Sequence, residues 1–226
     1  MTELHTGSQS LHRETLRISE IFYSLQGEAR DSGLPTTFVR LTGCPLRCTY
    51  CDSEYAFYGG ERLSLAEILG RVRSYPARNL CVTGGEPLAQ PNCLPLLTAL
   101  CDAGYQVSLE TSGALSVEEV DRRVSRVVDL KTPASGEQHR NRMENIALLN
   151  QRDQVKFVIC DRTDFDWAIF TLDSYRLSER VGEVLFSPSH DQLAPRQLAE
   201  WILETGVPVR MQIQLHKLLW GDVPGV

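Results

Sequence analysis

Short runs of apolar and β-branched residues alternate along this chain with segments of helical periodicity. The runs predict strands at residues 18–23, 36–42, 79–83, 105–110, 126–131, 154–159 and 183–187. The segments between them predict helices at 64–75, 91–103, 143–150, 164–177 and 195–205, with a further short helix from residue 116. Repeated strand–helix units are typical of a parallel sheet with functional loops at the carboxyl ends of its strands.

Two of the predicted helices begin with a capping box, in which a serine and a glutamate three residues later satisfy backbone N–H groups reciprocally. These boxes are Ser64 with Glu67, and Ser116 with Glu119. About six strand–helix units in 226 residues are too few for a closed eight-fold barrel of about 250 residues. We therefore predict an α/β fold with an open, partial TIM-like barrel. We expect residues 1–16 to form a flexible tail and residues 17–226 to form one domain.

The strand at 36–42 shows which side chains face the inside of the barrel. Val39 and Leu41 are apolar and suit the helix-facing side, which turns Phe38, Arg40 and Thr42 inward. A cation inside a barrel needs a partner, because burying it unpaired is costly. An anionic substrate and an internal carboxylate are both suitable partners for Arg40.

The last predicted strand, at residues 207–216, has one apolar and one polar face. Its polar positions are Arg210, Gln212, Gln214 and His216. A terminal strand with a solvated face explains this alternation, and so does a strand whose polar end borders a binding pocket.

Composition narrows the function only in part. The chain has 23 Lys and Arg against 29 Asp and Glu, a formal charge of -6, which disfavours electrostatic binding of nucleic acid. Its 7 cysteines do not form a disulfide framework and indicate a reducing compartment. No stretch reaches the roughly 20 apolar residues of a membrane span. We expect a cytoplasmic enzyme with a small-molecule substrate and no membrane partner.

The strongest chemical signal is a run that contains Cys44, Cys48 and Cys51. Three thiolates so close together can bind three irons of a cubane iron–sulfur cluster, which usually takes four thiolates, so one iron is left open. A structural zinc site is the alternative, but no histidine has the spacing of a paired zinc ligand. The other cysteines lie in apolar stretches and are expected to be core thiols: Cys81, Cys93, Cys101 and Cys160.

This run resembles the signature of radical S-adenosylmethionine (SAM) enzymes, in which the open iron chelates SAM. The segment Thr83–Pro87 resembles the Gly-Gly-Glu element of the same superfamily. The resemblance implies that Gly84, Gly85 and Glu86 hold the ammonium of the methionine moiety. A Gly-Gly pair after a strand is, on its own, usually only a turn.

Further segments resemble one branch of the superfamily, the ring-contracting lyases of queuosine and deazapurine biosynthesis. These segments are 24–28, 38–45, 48–53, 83–87, 110–113, 129–133 and 214–217. The branch implies conversion of 6-carboxy-5,6,7,8-tetrahydropterin to 7-carboxy-7-deazaguanine with loss of ammonia. It also implies a 4Fe–4S cluster, SAM and Mg²⁺ as cofactors, an electron donor such as flavodoxin or ferredoxin, and a homodimer.

The same resemblance assigns site residues. The SAM site takes Tyr50, Cys51, Asp52, Gly84, Gly85, Glu86, Glu110, Ser112, Asp129, Leu130 and Lys131. The substrate site takes Leu25, Gln26, Gly27, Glu28, Arg40, Thr83, His216 and Val226, with the tail 220–226 folded over it. Ser53 stands where the family has a magnesium-binding threonine. Without the resemblance, a surface ion pair is the commoner explanation for Asp129 and Lys131 at a strand end.

Two other functions fit part of this pattern. A radical SAM activating enzyme, which acts on a partner protein, shares the three-cysteine loop. A zinc-stabilised binding module would account for the cysteines without catalysis.

Overall fold

The computed structural model describes residues 14–221, 223 and 225. Its centre is a nine-stranded sheet in the order β3-β1-β2-β4-β5-β6-β7-β8-β9. The strands are β1 (Thr15–Leu25), β2 (Pro35–Leu41), β3 (Glu61–Ser64), β4 (Asn79–Gly84), β5 (Gln106–Thr111), β6 (Ser125–Asp129), β7 (Gln154–Ile159), β8 (Glu183–Pro188) and β9 (Arg210–Met211). From β2 to β9 all neighbours are parallel, whereas β1 is antiparallel to both β2 and β3.

The two outer strands, β3 and β9, are not paired with each other in this order, so the sheet is the predicted open, partial barrel. The α-helices are α1 (Leu65–Val72), α2 (Cys93–Asp102), α3 (Arg162–Tyr175), α4 (Leu177–Arg180), α5 (Pro195–Thr205) and α6 (Leu215–Trp220). Short 3₁₀ segments occupy Glu54–Phe57, Pro87–Ala89, Pro133–Ser135, Gln138–Arg140 and Met143–Leu148.

The core lies between the sheet and the helices. Val39 and Leu41 of β2 are fully buried in it, as strand parity predicts, and Leu65, Ile68 and Leu69 of α1 pack against the same cluster. The capping box at the start of α1 is present, with Glu67 N donating to Ser64 Oγ and Ser64 N donating to Glu67 Oε2. These contacts satisfy N–H groups that a helix start leaves unpaired.

The second predicted capping box is wrong. Residues 116–119 contain no helix and only 118 and 119 form a turn, although Val117 is buried. The cause is Asn145, whose Oδ1 accepts from Val117 N while its Nδ2 donates to Gly113 O and Leu115 O. These bonds hold the segment in an irregular path. Asn145 itself lies in a 3₁₀ segment where an α-helix was predicted.

The predicted strand at 207–216 is also wrong. Only Arg210 and Met211 pair with β8, and α6 begins at Leu215. The N-terminal boundary differs as well, because β1 begins at Thr15, within the residues expected to form a tail. Residues 1–13 lie outside the described residues.

Of the four expected core thiols, Cys81 and Cys93 are buried, but Cys101 and Cys160 are only partly buried. All seven cysteines are free thiols. In the part of the chain that the structure describes, no helix is long and apolar enough to cross a bilayer.

Candidate active site

One cavity of about 300 Å³ opens at the carboxyl ends of the parallel strands. This position is where α/β barrels place their catalytic loops. Its walls include side chains from both predicted ligand sites and all three cysteines of the loop after β2. The polar and thiol-bearing residues among them include Gln26, Glu28, Arg40, Cys44, Cys48, Cys51, Asp52, Glu110, Asp129, Lys131, Lys156 and His216.

The cysteine loop rests on the Gly84–Gly85 turn at the end of β4. A Cβ at residue 85 would collide with Gly43 O and Cys44 Cβ, and one at residue 84 would collide with Leu41. Gly84 also has a φ of 155°, where a side chain is strained. The two glycines line the cavity, but the close approach that requires Gly85 is to the cysteine loop, and the one that requires Gly84 is to Leu41 at the end of β2.

The three thiols of the loop face one cavity with different surroundings. Burial raises the pKa of Cys48 to about 11 and also raises that of Cys44. Iron must therefore displace protons when it binds these thiolates, which makes cluster assembly dependent on pH. Among the described residues, no three His, Cys, Asp or Glu side chains converge to hold one metal ion. Thiolates that bind separate irons of a cubane need no such convergence, whereas tetrahedral zinc ligands do.

Arg47 fixes the shape of this loop from outside. Its Nη1 donates to Cys44 O at 2.8 Å and to Leu46 O at 2.6 Å, and its guanidinium lies 4.2 Å from the centre of the Phe57 ring. Because the carbonyls next to the thiols are held, the loop is pre-organised before any ligand binds.

Asp129 and two lysines form a buried charge cluster at the end of β6. Asp129 Oδ2 is 3.1 Å from Lys131 Nζ and 3.3 Å from Lys156 Nζ, with all three side chains less than 15% exposed. Burial disfavours the Asp129 carboxylate, but the two lysines outweigh it and lower its pKa. Its other oxygen, Oδ1, is buried without a hydrogen-bond partner among the described residues. The predicted alternative of a surface ion pair is therefore wrong.

The pKa of Glu110, on the neighbouring strand β5, is shifted in the opposite direction. Burial raises its pKa, and the nearby Glu28 carboxylate raises it further against the effect of Lys156. Thr83 Oγ1 donates to Glu110 Oε2 at 3.1 Å. Carboxyl groups with opposite pKa shifts in one cavity are suited to different roles in proton transfer.

Glu86 lies away from the cavity wall and is fully buried. Its carboxylate accepts from Leu88 N, Thr111 Oγ1, Ser112 N and Ser112 Oγ. These bonds fix the turn after β4 against the end of β5. An ammonium-binding role for Glu86 stays a prediction, and it would have to displace part of this network.

Arg40 faces the cavity, as parity predicts, and has an internal partner. Glu20 stands directly opposite it on β1, and Glu20 Oε1 accepts from Arg40 Nε at 2.7 Å and from Tyr55 Oη at 2.8 Å. The rings of Phe22 and Tyr55 lie 5.9 and 5.7 Å from the guanidinium. The sequence left two partners possible for Arg40, an anionic substrate and an internal carboxylate. The internal carboxylate, Glu20, is present, and it holds Arg40 through one edge of the guanidinium.

The predicted substrate loop and the C-terminal segment pack against each other. Leu215 N donates to Gly27 O at 3.0 Å, and a Cβ at residue 27 would collide with the His216 ring. Burial lowers the pKa of His216, which favours the neutral imidazole. His216 therefore borders the cavity from the start of α6 and not from a strand end.

Most other predicted residues also line the cavity: Leu25, Gln26, Gly27, Tyr50, Asp52, Ser53, Thr83 and Ser112. Leu130 is fully buried in the core and does not line it. Val226 lies outside the described residues, but Val223 and Gly225 do line the cavity, in agreement with a tail over the pocket.

Sequence reasoning missed several cavity residues. Lys156 and the segment 187–190 both line the cavity. Lys156 lies near the middle of β7, opposite Asp129 of β6, whereas the segment 187–190 covers the end of β8 and the loop beyond it. The segment 187–190 follows a predicted parallel strand, and that position was a usable signal for a cavity-lining loop. Glu20 and Tyr55 could not be found in this way, because their role depends on the antiparallel register of β1.

These residues fit the group that the cysteine spacing implies. Three thiols lie on one wall of a cavity, and the unpartnered Asp129 Oδ1 offers an acceptor to a hydroxyl or amine of a ligand beside them. Comparison with known proteins gives the same answer. The model of the radical SAM superfamily matches residues 38–131.

Two curated relatives match almost the whole chain. The 7-carboxy-7-deazaguanine synthase of Chlorobaculum tepidum is 45% identical over 93% of this chain and 97% of its own length. The enzyme of the same name from Koribacter versatilis is 42% identical over 91% of this chain and 97% of its own length. The crystal structure of QueE from Escherichia coli shares the fold, with a TM-score of 0.76 at 23% identity over 92% of this chain and 98% of that one. The chain therefore belongs to the 7-carboxy-7-deazaguanine synthase family of radical SAM enzymes, which implies a 4Fe–4S cluster and SAM.

Proposed function

We propose that this protein converts 6-carboxy-5,6,7,8-tetrahydropterin to 7-carboxy-7-deazaguanine with loss of ammonia. The observation that carries the proposal is one cavity that holds three thiols, several cations and carboxyl groups with opposite pKa shifts. Relatives of 40% identity or more that carry the name of this activity support it. Neither a protein-activating enzyme nor a zinc-stabilised module has comparable support.

The cluster and SAM, when bound, supply one-electron reduction and hydrogen-atom abstraction. Cys44, Cys48 and Cys51 would hold the cluster, and Tyr50, Asp52, Asp129 and Lys131 would hold SAM. Asp129 Oδ1 is the best-placed acceptor because it is buried and otherwise unpaired. The enclosing walls keep water away from reactive species, which is a main task of a protein that uses such a cofactor.

Arg40 would bind the substrate carboxylate. Its Nε edge is held by Glu20, which leaves the outer edge of the fork to make charge-assisted hydrogen bonds. Glu28, Gln26 and Thr83 would contact the pterin ring, and the His216 imidazole, in its neutral form, offers either an N–H donor or an acceptor. Glu110 has a raised pKa and is a proton donor or acceptor within the same cavity.

Magnesium is a further part of this proposal. Ser53 lines the cavity, with its Oγ 4.0 Å from Cys51 Sγ, and a hydroxyl oxygen is a suitable ligand for Mg²⁺. We expect Ser53→Thr to keep magnesium-stimulated turnover and Ser53→Ala to lose the stimulation. An unchanged magnesium response in the alanine variant would remove Ser53 as a ligand.

A protein electron donor such as flavodoxin or ferredoxin, and a homodimeric assembly, complete the proposed function. Reduction of the cluster requires an external electron, which the donor would supply. Sedimentation of the holoenzyme tests the dimer, and a monomer at assay concentration would contradict it.

The decisive test of the reaction is anaerobic reconstitution of the cluster, followed by incubation with SAM, a strong reductant and the carboxy-tetrahydropterin. The proposal predicts a product with the mass of 7-carboxy-7-deazaguanine, formed many times per molecule of SAM. Intact pterin after incubation, with the cluster reduced and SAM bound, would refute the proposed function.

A further inference from the structure

Five polar side chains form a continuous chain of contacts across the cavity. Glu28 is at its centre and accepts from Gln214 Nε2 at 2.8 Å and from Lys156 Nζ at 2.8 Å. Gln214 Nε2 also donates to Asp52 Oδ2 at 2.9 Å, and Lys156 Nζ also lies 3.3 Å from Asp129 Oδ2. We call these residues, Asp52, Gln214, Glu28, Lys156 and Asp129, the Glu28 network.

The network joins two regions of the cavity that the proposed function assigns to different ligands. Its ends, Asp52 and Asp129, belong to the proposed SAM site, and its centre, Glu28, belongs to the proposed pterin site. The two connecting residues, Gln214 and Lys156, have no assigned ligand. Each reaches one carboxylate of the SAM site and the single carboxylate of the pterin site.

Each connecting residue is held by two contacts, and Lys156 is largely buried as well. The side chains of Lys156 and Glu28 are each 13% exposed, and Gln212 Nε2 also reaches Glu28 Oε2 at 3.4 Å. Lys156 has no other anionic hydrogen-bond partners among the described residues than Glu28 and Asp129. A buried cation shared by two carboxylates must adjust when either one is engaged, because leaving it unpaired is costly.

We propose that Gln214 and Lys156 are positioning residues that couple pterin binding to SAM binding. The inference rests on the proposed function. A pterin bound to Glu28 fixes that carboxylate and therefore the amide and ammonium that contact it. Asp52 and Asp129 are then already ordered when SAM arrives, so SAM binding costs less conformational entropy of the protein. The coupling is positive, and it acts equally in both directions.

A purely structural role is the competing explanation. In that case the network would only neutralise buried carboxylates, and its loss would weaken both ligands independently. Direct contact between the two ligands is another source of coupling, but such contact would survive replacement of Gln214 or Lys156. The two explanations therefore differ from ours in one measurable quantity, the ratio of SAM affinities with and without pterin.

The experiment measures SAM binding to anaerobic, unreduced holoenzyme by calorimetry, without pterin and with saturating 6-carboxy-5,6,7,8-tetrahydropterin. For the wild type we expect pterin to tighten SAM binding by a factor within the typical allosteric range of about 5- to 150-fold. In Lys156→Met and Gln214→Leu we expect that factor to fall below about twofold, although each ligand alone still binds. The reverse titration, of pterin with and without SAM, must give the same factors.

Two control variants separate coupling from general damage. Gln151→Leu removes a glutamine side chain that donates to Glu179 O outside the cavity, and Arg126→Met removes a buried cation that pairs with Asp153. Both controls should keep the wild-type coupling factor. If Lys156→Met binds pterin too weakly to titrate, Gln214→Leu, which leaves all charges in place, gives the result.

The outcomes are distinct. Wild-type coupling that persists in both network variants would overturn the inference and assign the coupling to contact between the ligands. A wild-type factor of one would also overturn it. Failure of the wild-type holoenzyme to bind pterin at all would instead reject the proposed function.

Discussion

The two ends of β6 and β7 carry two buried ion-pair systems that differ in completeness. At the amino end, Arg126 donates through Nε and Nη2 to both oxygens of Asp153 and also reaches Leu148 O. At the carboxyl end, Asp129 shares one oxygen between Lys131 and Lys156 and leaves the other without a partner. The first system is closed on itself, and the second is open to the cavity.

This difference separates stabilisation from function. Buried polar groups are nearly always hydrogen-bonded, so an unsatisfied carboxylate oxygen on a residue that lines a cavity is the exception that indicates a ligand. A pair that satisfies all its groups internally has nothing left to offer to a ligand. The same two strands therefore carry a structural pair at one end and a binding site at the other.

The largest predicted effect concerns the cysteines, which likewise divide into a cavity-lining set and a core set. Replacing Cys44, Cys48 or Cys51 with alanine should abolish the iron–sulfur cluster and all turnover, because each thiolate binds its own iron. Cys81 and Cys93 are enclosed in the core, so their replacement by alanine should keep about four irons per chain. Iron analysis and the visible spectrum of anaerobic protein measure both. Loss of iron in either core variant would contradict the distinction between cavity-lining thiols, which bind iron, and core thiols, which do not.

Breaking the closed pair should cost stability and leave ligand binding alone. Removing one partner of a buried ion pair costs about 3–5 kcal/mol, so Arg126→Met should lower the free energy of unfolding by that amount. The double variant Arg126→Met with Asp153→Leu should recover only part of the loss, because no unpaired charge remains but Arg126 N and Asn150 N lose the carboxylate that accepts from them. Denaturant titration gives the stabilities. A fall in SAM affinity of the folded single variant would show that the closed pair also serves the site.

Removing Arg40 should affect pterin binding, and it also breaks the partly buried pair with Glu20. Loss of a charge-assisted hydrogen bond costs about 1.5–3 kcal/mol, so Arg40→Ala should weaken pterin binding roughly 10- to 150-fold and leave SAM binding nearly unchanged. Arg62→Ala, a change at an exposed arginine of β3, is the control. Equal damage to both ligands would make Arg40 a structural cation held by Glu20.

Most strands and the core beneath the helices could be predicted from the sequence, whereas the residues around the cavity could be predicted only in part. The alternation of Val39 and Leu41 with Arg40 predicts correct burial because β2 has a core on one face. The alternation in residues 207–216 has another cause. There Gln212 and Gln214 reach the Glu28 network from a non-strand segment, and α6 begins at Leu215. A period of two does not distinguish a paired strand from a segment that crosses a cavity.

Long-range strand pairing is the second feature that sequence patterns do not predict. The role of Glu20 depends on its register opposite Arg40, and β1 has an irregular register between Ile18 and Glu20. A bulge of this kind reverses which side chains face inward, and sequence spacing does not reveal it. The cysteine loop is different, because three ligands within a few residues specify their chemistry locally.

The smallest predicted effect concerns pH. The pKa of Glu110 is raised by burial, so the folded state holds its proton more tightly than the unfolded state. The stabilisation is complete below the unfolded pKa of about 4.3 and is lost as pH rises through the folded pKa. Glu110→Gln should therefore increase stability relative to the wild type at pH 7 and have little effect at pH 4. Thermal melts at both pH values measure this, and a destabilised variant at pH 7 would contradict the sign.

The proposed cluster at the carboxyl end of the sheet has one iron free for SAM. The most direct test is electron paramagnetic resonance of the reduced holoenzyme before and after addition of SAM. The account predicts that SAM changes the spectrum of the wild-type cluster, because its amino and carboxylate groups bind the free iron, and that Arg126→Met shows the same change. A spectrum that SAM leaves unaltered in the wild type would contradict the claim.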